Sequence, residues 1–324
     1  MIEPNPAWEV LDSSKLSDYL TCPRKFFYTH VLGWRPDTPA HDLYFGECWH
    51  IAREYMLLNG YEDISGAYSA FISKYREMFD VETDDLYRPK DPVAVAMAIR
   101  QFADEKPRDL IDNEVLLTET SGTVPIDFKG RRLHYRMDSV LRRKEDGKIF
   151  SWDHKSTKRF STTWSNQFFL SIQNGTYTHC LYCLHPINQV LGIEFCGTCF
   201  EYLKRGSKAR DAGYHITLQR VPAFKTPDQM NAWLWTVNNL YDDVTRDFDR
   251  LSNCTEDDAV LMAFQMNPES CGKYWGCIFH DFCISWPNPL QRAAEPPLGF
   301  REEFWDPRDM KTTNKMDLEW KGGE

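Results

Sequence analysis

The sequence predicts an α/β fold with α+β character, in which helices flank a mixed central sheet. Helical periodicity dominates between residues 12 and 105, and strand-like runs dominate residues 113–155. A helix, further strands and a last helix follow after residue 163. This order favours helices packed on a mixed sheet and argues against a doubly wound parallel sheet.

Caps and turn residues place the elements along the chain. Asp12, Ser13 and Ser14 are favourable helix caps before an apolar repeat. Thr226-Pro227 is a helix start, with threonine as the cap and proline at the first helical position. The predicted helices cover residues 12–60 (with a separate helix from Phe45 to Leu58), about 63–79, about 91–105, 164–184 and 227 onward, and the predicted strands cover 113–155, 188–203 and 215–221.

The composition is that of a globular protein, with 42% hydrophobic, 14% aromatic and 27% charged residues in a chain of 324. We expect a single domain over residues 1–290 and a peripheral or partly disordered tail over residues 291–324, which is polar and contains proline. No apolar run is long enough to span a membrane, and the N-terminus lacks the basic and apolar segments of a signal peptide. We therefore expect a cytoplasmic protein.

The net charge of −10 argues against a nucleic-acid partner, because such a surface needs positive potential. Basic residues nevertheless cluster at 142–144, 155–159 and 204–210, so a basic groove on an acidic body stays open beside the ordinary interpretation of solvated faces. Candidate phosphate contacts are basic side chains with aromatic residues as stacking platforms: Arg24, Lys25, Lys158, Arg159, Lys204 and Arg205, with Trp164 or Phe168.

The strongest local signal is an Asp146-Gly147 pair between two strand-like runs, which is typical of a two-residue hairpin turn. Counting back from that turn places Asp138 opposite Lys155. Since side chains alternate along a strand, Asp138, Asp153 and Lys155 then share one face. Two carboxylates at such a spacing can bind one metal ion beside an ammonium group, although a solvated Asp–Lys pair is the simpler alternative.

Two further groups lie on predicted helices. Gln173 and Tyr177 are four residues apart and therefore lie one above the other on a helix face. His50 ends a Gly46-Glu47-Cys48-Trp49-His50 segment. Taken singly, the pair is more simply an amide beside a half-buried phenol, and the histidine is more simply structural.

Taken together, these residues resemble a known family. Their order and spacing are similar to the motifs of the RecB-like branch of the PD-(D/E)xK nuclease superfamily, over roughly residues 12–285: Gly46 with His50, Asp138, Asp153-x-Lys155, and Gln173 with Tyr177. The resemblance implies a restriction-endonuclease-like core, with the catalytic part in residues 113–203. It also implies a bacterial or phage-infected cell as the setting.

The resemblance implies a role for each matched residue. His50, Asp138 and Asp153 would hold magnesium or manganese, and a histidine ligand favours manganese. Lys155 would orient or activate the attacking water and stabilise negative charge. Gln173 and Tyr177 would position the DNA strand or the water network of the site.

A second constellation consists of cysteines. Cys271, Cys277 and Cys283 are evenly spaced with five residues between neighbours, and Cys22 is the candidate for a fourth thiolate. Sets of four thiolates bind zinc or iron–sulfur clusters, whereas the alternative is four inert, buried cysteines. The Cys22 context and the C-terminal trio resemble the iron–sulfur subclass of the same family, which includes the AddB nuclease domain, CRISPR-associated RecB-like exonucleases and phage relatives.

That subclass implies a structural 4Fe–4S cluster joining residues 12–60 to residues 265–285. Its members differ slightly in spacing, because their first two C-terminal cysteines lie closer together than Cys271 and Cys277. A metal clip would offset the closure of a loop of about 250 residues.

A rival cysteine set has a zinc-ribbon-like spacing. Its members are Cys180, Cys183, Cys196 and Cys199. The last two lie an odd number of residues apart in a predicted strand, which would point them to opposite faces. Core cysteines are therefore the simpler interpretation.

The sequence thus predicts a divalent-metal-dependent DNA exonuclease acting on single-stranded DNA or duplex ends. The alternatives are a non-catalytic iron–sulfur subunit that binds DNA or assembles a DNA-processing complex, and a zinc-binding interaction protein. No helicase motif is present, so we expect any helicase or recombination partner to be a separate chain.

Overall fold

The computed structural model of the chain describes residues 2–38, 40–204, 211–272, 276–309 and 312–320. Most of the basic stretch at 204–210, including the candidate phosphate contact Arg205, lies outside these residues. So do Lys273, Tyr274 and Trp275, which separate two of the candidate cluster cysteines.

A six-stranded mixed sheet forms the centre of the fold, as the sequence predicts. Its strand order is β6-β5-β4-β3-β2-β8, with β3–β4 and β5–β6 antiparallel and β4–β5 and β2–β8 parallel. A separate two-stranded sheet pairs β1 with β7. The strands are β1 Trp34–Pro36, β2 Asn113–Pro125, β3 Arg132–Arg143, β4 Ile149–Thr157, β5 Val190–Leu203, β6 Gly213–Pro222, β7 Phe300–Glu302 and β8 Asn314–Lys315.

Ten α-helices occur in the described residues, and two of them, α1 and α9, begin at the predicted starts. The Asp12 carboxylate accepts the Lys15 backbone N–H at 2.7 Å at the start of the first helix. The helices are α1 Ser13–Thr21, α2 Pro23–Phe26, α3 His41–Asn59, α4 Ile64–Tyr75, α5 Pro92–Glu105, α6 Arg108–Asp112, α7 Thr162–Asn166, α8 Ile172–Leu184, α9 Pro227–Leu251 and α10 His280–Ser285.

Two predicted helical regions contain more than one helix. The region expected to be helical over residues 12–60, with a further helix from Phe45 to Leu58, is interrupted by β1, after Gly33 adopts a φ of +68°, where a Cβ would also meet the Phe304 ring at 3.1 Å. The helix expected over residues 164–184 is divided into α7 and α8, because Ser171 caps the second helix by accepting the Asn174 N–H.

The chain divides into two compact units. The first comprises residues 1–38, 123–135 and 227–311, and its core contains Phe26 stacked against Phe264. The second comprises residues 39–122, 136–226 and 312–324, and its core is built on fully buried side chains of α3, including Phe45 and Trp49.

Residues after 290 contribute to both sheets. Strand β7 pairs with β1, and β8 pairs with β2. Leu318 is buried at 4% exposure. The division of the chain into a domain over residues 1–290 and a tail stays a prediction. Among the residues that the structure describes, no helix is both long and apolar enough to cross a membrane.

Candidate active site

The hairpin between β3 and β4 differs from the predicted one by two residues. Five residues, 144–148, connect the strands, and Ser139 pairs with Trp152. A two-residue turn of the expected type needs positive φ at both central residues, but only Gly147, at +70°, has it. The Asp146 carboxylate instead accepts the Lys148 N–H at 3.1 Å.

The prediction that Asp138 lies opposite Lys155 was therefore wrong. Continuing the observed register by one pair places Asp138 opposite Asp153. A shift of two residues does not change the face on which a side chain lies. Asp138, Asp153 and Lys155 consequently stay on the same face, as the sequence predicts.

Both carboxylates of this face are buried. Asp138 Oδ2 accepts the backbone N–H of His154 at 2.8 Å. Asp153 is 1% exposed, and its Oδ1 lies 2.6 Å from the Lys155 ammonium. Asp153 Oδ2 has no hydrogen-bond donor among the described residues. A buried carboxylate oxygen without a donor needs a cation or a proton.

Helix α3 brings His50 to the same place. Its Nε2 lies 2.6 Å from the His154 carbonyl oxygen, which can only accept, so Nε2 carries the hydrogen. Its Nδ1 lies 3.2 Å from Asp138 Oδ1. The Nδ1 lone pair and a carboxylate oxygen would repel at this distance, so a proton or a metal ion belongs between them.

Glu119 of β2 completes the group and was missed by the sequence analysis. Ligand atoms of His50, Glu119 and Asp138 all lie within 4.8 Å of one another, and Asp153 does not belong to this trio. Glu119 Oε2 also accepts two hydrogen bonds from Arg136, at 2.9 and 2.7 Å. Its φ of +40° is uncommon for a residue other than glycine. A glutamate inside a predicted strand was the only signal.

Protonation of the trio reflects this crowding. Burial lowers the pKa of His50, but the charge and hydrogen bond of Asp138, together with the charges of Glu119 and Asp153, outweigh burial and raise that pKa to about 9. Burial raises the pKa of Asp138, yet the His50 charge and hydrogen bond leave it well below its usual range. Burial, reinforced by the charge of Asp138, raises the pKa of Glu119 to about 7.

The pKa of Asp153 is also raised by its surroundings. Burial raises its pKa to about 6, although the Lys155 ammonium opposes the shift. The candidate donors are therefore one imidazole nitrogen and the carboxylate oxygens of three acidic residues. Two of these residues, Glu119 and Asp153, have a pKa above the usual value because they are buried near other negative charge. Such a set fits a hard divalent cation, and the unpartnered Asp153 Oδ2 is in particular the kind of atom that a metal ion would satisfy.

Helix α8 carries Gln173 and Tyr177. The Gln173 amide donates to the Tyr177 hydroxyl at 3.1 Å, as expected for residues four apart. Burial raises the pKa of Tyr177 well above its ordinary value, and the charges of Asp153 and Asp138 raise it further. The structure thus places Tyr177 close enough to the carboxylates to interact with their charge, and Gln173 is hydrogen-bonded to its hydroxyl.

The candidate phosphate contacts and stacking residues are less uniform. Arg24 is buried at 3% exposure, and Phe168 is buried and stacked on Phe195 at 4.2 Å. Neither is therefore a surface contact. Trp164 is partly exposed and lies against Gly197, where an added Cβ would meet its ring at 2.3 Å.

The four candidate cluster cysteines meet within the first unit. Cys22, Cys271, Cys277 and Cys283 line one cavity of about 470 Å³. No three cysteines of the described chain have sulfur atoms within 4.8 Å of one another. Tetrahedral zinc, with Zn–S of about 2.3 Å, would bring its sulfurs to about 3.8 Å. In this structure the four thiols therefore line one cavity but do not form the compact tetrahedral group that a single zinc ion needs.

The rival cysteine set is not gathered into a site. Its members are buried in α8 and β5: Cys180, Cys183, Cys196 and Cys199. Strand β5 stays regular there, with Cys196 opposite His154 and Cys199 opposite Thr157 on β4. In the described residues these cysteines form no zinc-ready cluster.

Comparison with known proteins agrees with this geometry. The model of the PD-(D/E)XK nuclease superfamily matches residues 13–283, so the chain belongs to that superfamily. Membership indicates a divalent-metal-dependent nuclease that acts on DNA.

Two further comparisons do not extend this family assignment. No curated protein matches the chain. Among solved structures, the crystal structure of SSO0001 is similar over 72% of this chain and 82% of that chain, with 11% sequence identity and a TM-score of 0.24. A score of that size carries no argument.

Proposed function

We propose that this protein is a RecB-like DNA exonuclease that hydrolyses single-stranded DNA or duplex ends and contains a structural 4Fe–4S cluster. The observation that carries the nuclease part is the shared face of Asp138, Asp153 and Lys155 beside His50 Nδ1. The observation that carries the cluster part is the cavity lined by four cysteines.

The proposed hydrolysis divides the work among a few side chains. His50, Asp138, Glu119 and Asp153 would hold magnesium or manganese. When bound, that ion supplies positive charge to the phosphate and lowers the pKa of a water molecule. Lys155, already 2.6 Å from Asp153, would orient the attacking water and stabilise negative charge on the phosphate.

The positioning of the substrate falls to neighbouring residues. Tyr177 would donate its hydroxyl hydrogen to a phosphate oxygen or a bound water, and Gln173 would hold that hydroxyl in place. Trp164 and Phe169, which is 42% exposed, lie on the segment after β4. Partly exposed aromatic rings near a cleavage site suit unpaired bases, since base stacking requires no particular sequence.

The cluster proposal explains a cost in chain entropy. Cys22 and Cys271 are separated by about 250 residues, and closing such a loop is unfavourable. A cluster bound through all four thiolates would offset that cost in the folded state. Because the described residues of the first unit carry no nuclease motif, we assign the cluster a structural role.

The decisive experiment is digestion of end-labelled DNA with and without magnesium or manganese. Wild-type protein should release labelled nucleotides only with metal. Asp153→Asn and Lys155→Met should each lose at least about 100-fold of the rate, since both act on the reacting phosphate. Asp146→Asn, in the loop of the same hairpin, is the matched control and should keep full activity.

The outcomes separate the alternatives. Full activity in Asp153→Asn and Lys155→Met would refute the site. DNA binding without cleavage in any metal would favour the non-catalytic subunit. Intact circular single-stranded DNA beside degraded linear DNA would support an exonuclease, whereas cleavage of the circle would show internal cutting. Partners such as a helicase or recombination protein would be separate chains.

A further inference from the structure

Arg24 is a buried cation with an unused hydrogen-bond donor. It lies on α2, two residues after Cys22, and is 3% exposed. Its Nε donates to the Phe264 carbonyl at 3.0 Å, and its Nη2 reaches the Leu261 carbonyl at 3.5 Å. Its Nη1 has no acceptor among the described residues. Burying a guanidinium is unfavourable unless an anion or several acceptors surround it.

Tyr28 repeats the pattern one helical turn later. Its ring is fully buried and stacks on Trp34 at 5.4 Å and on Phe279 at 5.0 Å. Its hydroxyl has no hydrogen-bond partner in the described part of the chain. An unsatisfied buried hydroxyl is unfavourable, so the packing alone does not explain a tyrosine here. A phenylalanine would fill the same space.

Both donors lie near Cys283. The Tyr28 ring packs against Phe279 at 5.0 Å and Phe282 at 6.0 Å, and Phe282 directly precedes Cys283. The Tyr28 hydroxyl and the Arg24 guanidinium each interact electrostatically with Cys283. Cys283 also interacts with Cys22, Cys277 and Cys271, so it belongs to the cavity of the proposed cluster.

We propose that Arg24 and Tyr28 donate hydrogen bonds to the Cys283 thiolate and thereby stabilise the negative charge of the iron–sulfur cluster. This inference rests on the cluster of the proposed function. Thiolate-bound clusters are anions, and hydrogen bonds to their sulfurs raise the reduction potential. The two residues are positioning groups, because they act on the cluster through its ligand.

The test uses the purified protein with its cluster and the variants Tyr28→Phe and Arg24→Gln. In a titration with dithionite, one electron passes to the cluster, and no bond forms or breaks. Both variants should shift the reduction potential to a more negative value, with the larger shift in Arg24→Gln because it also removes a charge. Loss of iron to a chelator should be about tenfold faster in either variant.

A second measurement separates this role from simple packing. After the cluster is removed, Tyr28→Phe should melt at the same temperature as wild type or higher, because the hydroxyl has no protein partner. With the cluster bound, the same variant should melt lower. Tyr241→Phe and Arg246→Gln, on α9, are the matched controls and should change neither quantity.

Measurement of iron and sulfide content distinguishes an absent cluster from a cluster that Arg24 and Tyr28 do not stabilise. A wild-type protein that contains neither would refute the cluster and this inference together. A wild-type protein with a full cluster, whose potential and chelation rate stay unchanged in both variants, would refute only the donor role of Arg24 and Tyr28. Far-ultraviolet circular dichroism checks that each variant is folded.

Discussion

Glu119 shows how much a single side chain adds to the candidate site. It lies within 4.8 Å of the ligand atoms of His50 and Asp138, although its strand carries no motif. Arg136 holds one of its oxygens, which leaves the other available to a cation. We therefore expect it to contribute to metal binding and not to the chemical step alone.

Replacement of Glu119 by glutamine tests this role. The variant should need about ten times more magnesium for half of the maximal rate, since a ligand or its neighbour typically changes metal affinity by about 10–100-fold. Glu114→Gln on the same strand is the control, because Glu114 is exposed and pairs with Arg142. A metal titration of DNA cleavage measures both. An unchanged magnesium requirement in Glu119→Gln would exclude Glu119 from the metal site.

Residue patterns predicted the nature of the site but not all of its members. The face shared by Asp138, Asp153 and Lys155 follows from the alternation of strand side chains, which survives a register error of two residues. Glu119 was missed because its approach to His50 depends on a backbone of positive φ, which no propensity predicts for glutamate. The buried state of Arg24 was missed because only tertiary packing decides it.

At the level of elements, a buried lysine just before α5 bonds to the end of β4. Lys90 Nζ lies 3.1 Å from Ser156 Oγ and 3.2 Å from Asp42 Oδ1. Ser156 directly follows Lys155. The lysine therefore holds the strand end from which the Lys155 side chain extends.

Lys90→Met should loosen this strand end. We expect a loss of about 1–3 kcal/mol in unfolding free energy, because the variant removes a buried charged donor that bonds to Ser156 and Asp42, and a slower cleavage rate. Lys158→Met is the control, since Lys158 contacts the same Asp42 but is half exposed and should contribute less than about 1 kcal/mol. Urea unfolding and initial cleavage rates provide the two readouts. Equal effects of both substitutions would contradict a specific role for Lys90.

Element boundaries were predicted less well than element types. Strands β5 and β6 and helices α4, α5 and α9 lie where periodicity and caps predict them. The region expected to be helical over residues 12–60 is interrupted by β1, which pairs with β7 almost 270 residues later in the chain. A pairing over that distance depends on tertiary contacts, which local patterns do not contain.

On the scale of the whole molecule, the candidate metal centres are separated by unit. The cluster cysteines belong to the first unit, and the carboxylate site belongs to the second. Each therefore has its own core and its own determinants of stability. Removal of one cofactor should then be detectable independently of the other.

Cys277→Ser tests this independence. The variant should lose iron and sulfide and melt at a lower temperature, because a ligand that binds only the folded state no longer stabilises it. Cys254→Ser is the control, since Cys254 is not among the residues that line the cavity and donates to the Arg250 carbonyl near the end of α9. Calorimetry and metal analysis give the comparison. Retention of a full cluster in Cys277→Ser would contradict its assignment as a ligand.

The backbone of His154 contacts two candidate metal ligands. Its N–H holds Asp138 and its carbonyl holds His50, so two candidate ligands from different elements are aligned by one residue of β4. The separation of those two backbone groups is set by the extended conformation and not by any side chain. The backbone of strand β4 thus sets the spacing of the two ligands. A shift of the strand by one residue would displace both ligands together. Replacement of the His154 side chain would leave the two backbone hydrogen bonds intact.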